Sequence, residues 1–276
     1  MLAESDSTQR SQPGATQIKK VRRICATSVN EQCDHVASEI PVALIYNGIS
    51  HVVMMASPGD LEDLAVGFSL SEGIIKHGRE IQDIQSSYQP LGIEVNITVN
   101  ARAMCQLKQQ RRNMTGRTGC GLCGAQSLQQ ALRPIKKISQ DKALNISCDA
   151  IQKSVKNLEL WQPLQQLCGA AHGAAWCNSA GDIQLVKEDV GRHNALDKLI
   201  GALYQPFHRV EPVNLSQGFA LISSRASYEM VSKASRVGIR CLVAVSAPTT
   251  LAIEVAKQTG LTLLGFARSG RHTIYT

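Results

Sequence analysis

The chain has 276 residues with a formal net charge of +7, and is 43% hydrophobic, 18% charged and only 4% aromatic. Those are ordinary values for a globular protein, and with few aromatics the core must rest on Val, Ile, Leu and Ala, which favours a β-branched parallel sheet covered by Ala-rich helices. The basic balance suggests an anionic partner and equally fits a solvated basic surface; no stretch interleaves Lys and Arg with aromatics as nucleic-acid binding requires, and no run reaches the roughly 18 apolar residues of a membrane span, so neither nucleic acid nor membrane is expected.

The first twenty residues are rich in Ser, Gln and Thr and read as a disordered polar tail without an apolar leader. Together with the nine cysteines at irregular spacing, this argues against a secreted disulfide framework and for a cytoplasmic protein with reduced thiols. Residues 21–115 read as an N-terminal α+β subdomain. Pro41–Tyr46 predicts a strand, Asn47-Gly48 a hairpin turn, and Ile49–Ala56 the returning strand. Ser57-Pro58-Gly59-Asp60 then opens a helix, with Ser57 as cap, Pro58 in the first turn and Asp60 where a capping box wants an acid. Leu61, Leu64, Ala65 and Phe68 share one face, and the helix is expected to run to about Ile75. Further on, Ile93, Val95, Ile97 and Val99 alternate as a strand with one exposed face does. A basic segment follows, with Arg102, Lys108, Arg111, Arg112 and Arg117. It can hold a phosphate or favour a nearby thiolate, and equally it can be a solvated helix face.

The segment 116–124 reads Gly-Arg-Thr-Gly-Cys-Gly-Leu-Cys-Gly and is expected to be a mobile loop. Two thiols three positions apart can share a metal, form a small disulfide or pass sulfur chemistry between them. Glycine on both sides of Cys120 lets a bulky partner approach the sulfur. A structural zinc site lacks its second Cys-x-x-Cys or His pair, and a zinc deaminase would need His-x-Glu and Pro-Cys-x-x-Cys, so no permanently held metal is expected. A thioredoxin-like pair would open a helix in an early βαβ unit, which this one does not. A glycine-hinged thiol that accepts and donates a group fits better, although spacing alone does not choose among these chemistries.

Residues 125–276 form the expected α/β subdomain. The part up to residue 165 looks helical and polar, broken at Pro134 and Pro163. His172 lies in an Ala/Gly-rich run and reads more readily as a core residue than as a site residue. Gly181–Val186 predicts a strand. Glu188 to Lys198 then enters a helix on which His193 and Asp197 stand four apart, so that the carboxylate can orient the imidazole. Two strand–turn–helix units follow: Gly218–Ile222 into Ser223–Ser227, and Cys241–Val245 into Ser246–Thr250. A last strand, Leu261–Phe266, ends in Ala267–Arg271. Three strand ends in a row, two of them with arginine, suggest an anion cradle, and the absence of Gly-x-Gly-x-x-Gly or a P-loop argues against a standard dinucleotide or NTP site.

Taken together, Ser-Pro-Gly-Asp-Leu-Glu-Asp-Leu-Ala-Val-Gly-Phe, Thr-Gly-Cys-Gly-Leu-Cys-Gly, Glu-Asp-Val-Gly-Arg-His-Asn-Ala-Leu-Asp-Lys, Ser-Ser-Arg-Ala-Ser-Tyr-Glu-Met and the segment from Ala-Val-Ser-Ala-Pro-Thr-Thr to Gly-Arg-His-Thr-Ile-Tyr-Thr resemble the formate dehydrogenase accessory sulfurtransferase (FdhD) family. The resemblance implies an α/β fold with a cytidine-deaminase-like three-layer sheet, helices on both faces, and a smaller N-terminal α+β part. It implies that Cys120 takes sulfur as a persulfide from a cysteine desulfurase, with Cys123 assisting or relaying. The sulfur would pass to a molybdenum or tungsten bis(molybdopterin guanine dinucleotide) cofactor before that cofactor enters formate dehydrogenase. Phe266, Ala267, Arg268, Ser269, Gly270 and Arg271 correspond to the family's cofactor-binding stretch, and a homodimer is implied. The alternative is a chaperone that shelters the same dinucleotide without covalent sulfur chemistry. One departure stands out: His172-Gly173-Ala174 occupies the place of the family's His-Ala-Ala.

Overall fold

A computed structural model describes residues 14–26, 28–112, 135–138, 144, 146–204 and 215–276. The expected mobile segment with Cys120 and Cys123, and residues 1–13 of the expected tail, lie outside the described residues. The chain is already regular within the expected tail, because β1 (Thr16–Cys25) pairs antiparallel with β2 (Ser28–Ala37). Ile18, Val21 and Ile24 suit a strand, and the backbone ladder to β2, with Arg23 3.8 Å from Asp34, outweighs the polar composition that suggested disorder.

The expected hairpin forms as β3 (Ile40–Tyr46) and β4 (Ile49–Ala56). Its two turn residues, Asn47 at φ 46° and Gly48 at φ 78°, are both left-handed, as a two-residue turn with the twist of its strands requires. With β5 (Ile81–Gln89) and β6 (Gly92–Val99) it makes a four-stranded sheet of order β4-β3-β6-β5, in which β3 and β6 run parallel. The alternating residues of β6 bury Ile93, Val95, Ile97 and Val99 on one face and leave Asn96 and Thr98 exposed on the other.

Helix α1 (Leu61–Ser71) is shorter than expected and capped differently. Asp60, left-handed at φ 56°, is the N-cap residue, and the chain leaves the helix at Glu72, before Gly73 at φ 70°. Ser57 does not cap, because its polar groups are held by a distant loop described below. Helix α2 (Ala101–Arg112) follows β6. Helix α3 (Cys148–Asn157) starts from the side-chain cap of Ser147, and Pro163 opens α4 (Pro163–Cys168) instead of breaking a helix.

The second sheet has the order β12-β11-β10-β9-β7-β8, built from β7 (His172–Asn178), β8 (Ile183–Asp189), β9 (Gly218–Ile222), β10 (Cys241–Ala244), β11 (Thr262–Arg268) and β12 (Arg271–Ile274). Strands β9, β10 and β11 are parallel, and β7, β8 and β12 are antiparallel to their neighbours. Helix α5 (Arg192–Tyr204) follows β8, α6 (Tyr228–Arg236) follows β9, and α7 (Thr250–Thr259) follows β10. One face of this sheet, with Trp176, Ala220, Ile222, Leu242 and Leu263, shares a single core with the four-stranded sheet and with α1, α5, α6 and α7. On the other face Phe219, Leu221, Val243 and Leu264 pack against Ile151 and Leu158.

The N-terminal and C-terminal parts therefore share a core, and two glycines set the distance between α1 and α5. A Cβ on Gly67 would lie 1.7 Å from the Asp197 carbonyl oxygen, and one on Gly201 would lie 1.8 Å from that of Asp63. The two backbones meet where neither helix can carry a side chain.

Candidate functional site

The parallel strands β9, β10 and β11 end on the same edge of the sheet, which is where open α/β sheets bind ligands. Their turns are tied side by side: Ala226 N–H donates to Ala247 O at 3.2 Å, Thr249 N–H to Ala226 O at 3.0 Å, and Phe266 N–H to Ser246 O at 3.1 Å. The three strand ends expected as a cradle are thus contiguous. Beyond the third of them the chain makes a hairpin into β12, which the sequence pattern does not announce. Phe266 sits at φ 49°, within the register irregularity between Gly265 and Arg268, and its side chain is 39% exposed. A left-handed aromatic residue is strained and needs surroundings that hold it. Gly265 contributes by close approach, since a Cβ there would lie 2.7 Å from Pro248 Cδ. Ala267 is buried, whereas Arg268, Ser269, Gly270 and Arg271 are exposed. The hairpin tip is pinned where Gly270 N–H donates to Gln152 Oε1 at 2.7 Å.

Further along the same edge, the turn before α5 is locked from beneath. Asp189 is fully buried, and its two carboxylate oxygens accept from Gly191 N–H at 2.8 Å, Asn194 Nδ2 at 3.1 Å and Ser57 N–H at 3.0 Å, with Lys198 Nζ at 2.7 Å. Ser57 Oγ accepts from Val190 N–H at 3.1 Å, and Lys198 Nζ also donates to Ser57 O at 3.1 Å. The Ser-Pro-Gly-Asp stretch and the Glu-Asp-Val-Gly stretch are therefore two halves of one joint. A buried charge needs this degree of pairing, because desolvation otherwise makes it costly.

That joint presents Arg192 and His193 at the start of α5. His193 Nε2 lies 3.9 Å from Glu229 Oε2, and Glu229 Oε2 accepts from Ser227 Oγ at 2.7 Å. The His193 ring is the largest influence on this carboxyl and, with Ser227, outweighs burial to hold it down to about 2. His172 stands beside them at the start of β7. It is half-buried, and burial first, then the positive charge of Arg192, push its imidazole below the usual range. Among the described residues, Arg192 Nε and His193 Nε2 are buried without a hydrogen-bond partner. The result is a rim of cationic and neutral nitrogen donors with one carboxylate, suited to an anionic group.

Two sequence expectations change here. Asp197 does not orient His193. Other elements take its carboxylate: it accepts from Ser71 Oγ at 2.7 Å and pairs with Lys233 Nζ at 2.9 Å. Burial pulls the Lys233 ammonium down, but Asp197 and Glu72 more than offset it and hold it above the ordinary value. A spacing of four residues fixes a shared helix face, but not which neighbour fills it. His172 is half-buried and not part of the hydrophobic core, and a Cβ on the glycine after it would lie 2.4 Å from Gln162 Nε2, so that side chain would have to shift. Glu229 was missed as a site residue, and the Ser-x-Glu at the start of a helix was the available signal.

The profile of the FdhD/NarQ family matches residues 37–276. The sulfur carrier protein FdhD of Cupriavidus necator is 50% identical over 242 residues, covering 88% of this chain and 82% of that protein. The sulfur carrier protein FdhD of Variovorax paradoxus is 46% identical over 264 residues, covering 96% and 92%. A crystal structure of a protein assigned as a formate dehydrogenase accessory protein, from Desulfotalea psychrophila, superposes with a TM-score of 0.71 over 95% of this chain and 97% of that one, and its 24% identity speaks to the fold.

Proposed function

The chain belongs to the FdhD/NarQ family, and on that premise we propose that it is a sulfur carrier serving formate dehydrogenase. The observation that carries the reading is the half-identity, over most of both chains, to a relative named a sulfur carrier protein. The Thr-Gly-Cys-Gly-Leu-Cys-Gly stretch lies inside the matched residues 37–276. In this reading the Cys120 thiolate attacks the outer sulfur of a cysteine desulfurase persulfide. The S–S bond there breaks, the desulfurase thiolate leaves with the electron pair, and Cys120 becomes the persulfide. Cys123 assists that exchange or accepts the sulfur in turn. The transfer needs no oxidant, because one S–S bond replaces another.

The recipient is the bis(molybdopterin guanine dinucleotide) cofactor, bound as a substrate and not as a resident group. The sheet edge supports this assignment. Arg268 and Arg271 are exposed cations on a pinned hairpin, Phe266 offers a partly exposed ring for stacking, and Arg192 and His193 supply further donors for phosphates. The cytidine-deaminase-like layering and the homodimer implied by the resemblance belong to the same reading.

The test is to incubate the protein with a cysteine desulfurase and cysteine, and to examine the Cys120 peptide by mass spectrometry. A reducible mass gain of one sulfur on Cys120 or Cys123 is expected. If neither gains sulfur while guanine nucleotide still binds, the carrier reading fails and the non-covalent chaperone takes its place.

A further inference from the structure

We propose that Cys148, set against His272, is a second nucleophilic thiol, able to take sulfane sulfur from a persulfide donor. Cys148 is the first residue of α3 and is solvent-exposed, and its Sγ lies 3.8 Å from Nε2 of His272 on β12. The imidazole is itself held by a third group. Gln152, one turn along α3, has its Oε1 occupied by Gly270 N–H at 2.7 Å, which turns its amide nitrogen to His272 Nδ1 at 3.2 Å. Nδ1 must then accept, so the proton of the neutral ring sits on Nε2 and is aimed at the sulfur. The Nε2–H so held is a hydrogen-bond donor that favours the thiolate form of the exposed Cys148, whose proton goes to solvent.

The dyad joins two elements far apart in sequence, α3 and β12, which also meet where Gly270 N–H, just ahead of β12, donates to Gln152. His272 directly follows Arg271 on the hairpin that also carries Arg268. Among the described exposed thiols, Cys105 makes a useful contrast: its Sγ lies 3.9 Å from the amide nitrogen of Gln109, and it stands within a helix and not at its start.

The chemistry balances without a further reactant. The Cys148 thiolate attacks the outer sulfur of R–S–SH, the S–S bond of the donor breaks, and R–S⁻ leaves with its electron pair. Cys148 keeps the sulfur as a persulfide whose negative charge the Nε2–H can stabilise. The identity of the transferred group rests on the sulfur-carrier reading, whereas the reactivity of the thiol does not.

The experiment uses the full-length protein, its His272→Ala and Gln152→Ala variants, and two probes read peptide by peptide in a mass spectrometer, with thermal melting to verify folding. With iodoacetamide, Cys148 is expected to react about tenfold faster than Cys105, and to fall to the Cys105 rate in both variants. With glutathione persulfide, the Cys148 peptide is expected to gain one sulfur, and to lose that gain in His272→Ala. Equal rates at Cys148 and Cys105, a rate unchanged by His272→Ala, or no sulfur on Cys148 would each overturn the proposal. If neither Cys120 nor Cys123 is loaded from the desulfurase, the carrier reading alone is defeated, because both Cys148 readouts are independent of it.

Discussion

The carboxylate of Asp189 meets the ammonium of Lys198 at 2.7 Å, with both side chains withdrawn from solvent. This pair fixes the turn that delivers Arg192 and His193, and it ties that turn to Ser57 at the start of α1. Removing one partner leaves the other charge buried and uncompensated. Asp189→Ala should therefore destabilise the fold by about 3–5 kcal/mol, whereas Asp189→Leu combined with Lys198→Met should recover much of that loss. Urea denaturation of the three proteins decides it, and a single-variant cost below about 1 kcal/mol would show that the pair is not the anchor described.

The crossing of α1 and α5 gives a second expectation. Gly67→Ala places a methyl where the Asp197 carbonyl already is, so the helices must separate, at a cost of about 3 kcal/mol or more. Gly59→Ala, in open space, should change stability by less than about 0.5 kcal/mol. Similar melting temperatures for the two variants would contradict the crossing geometry.

Glu229 makes stability depend on pH in a defined direction. Its carboxyl is held down to about 2 in the folded chain, against an ordinary value of 4.5. A depressed carboxyl contributes stability that is fully present above the unfolded value and is lost as pH falls through the folded one. The advantage of the wild type over Glu229→Gln should thus be constant above pH 4.5 and shrink as pH approaches 2. Thermal melts of both proteins across that window would show it, and an advantage independent of pH would refute it.

Cys177 and Cys241 are buried in the second sheet, and burial pushes both thiols up to about 12. Neither should be alkylated in the native protein near neutral pH, and both should react once denaturant is added. Native labelling of either thiol at the rate of exposed Cys105 would contradict the packing of that sheet face.

Arg268 and Arg271 should contribute to nucleotide affinity and not to folding. Each change to alanine is expected to weaken guanine nucleotide binding about tenfold, less so at high salt, because a charge-assisted contact to phosphate is lost. Isothermal titration at two salt concentrations, with melting temperatures alongside, separates the effects. Unchanged affinity in the double variant would remove the hairpin from the site.

Much of this protein could be read from local chemistry. The Asn47-Gly48 turn, the alternation of β6 and the two strand–turn–helix units around Ser223–Ser227 and Ser246–Thr250 each depend on residues within a few positions of one another. The sequence also marked stretches that meet at the sheet edge, among them Glu188–Lys198 and Phe266–Arg271. What it left open were relationships between distant residues. The acid at Asp197 was assigned to His193 because they share a helix face, but Lys233 and Ser71 take it from another element. Ser57 looked like a helix cap until Asp189, far along the chain, used its groups. A return strand after Gly270 leaves little local signal, because its pairing partner supplies the reason for it. Sequence alone determined the chemical vocabulary of the protein and its local elements, since propensity, turn chemistry and periodicity act over a few residues. Tertiary structure decided which charges were buried together, which histidines reached the rim and which thiol faced an imidazole, because burial and pairing are properties of contacts that only the folded chain creates.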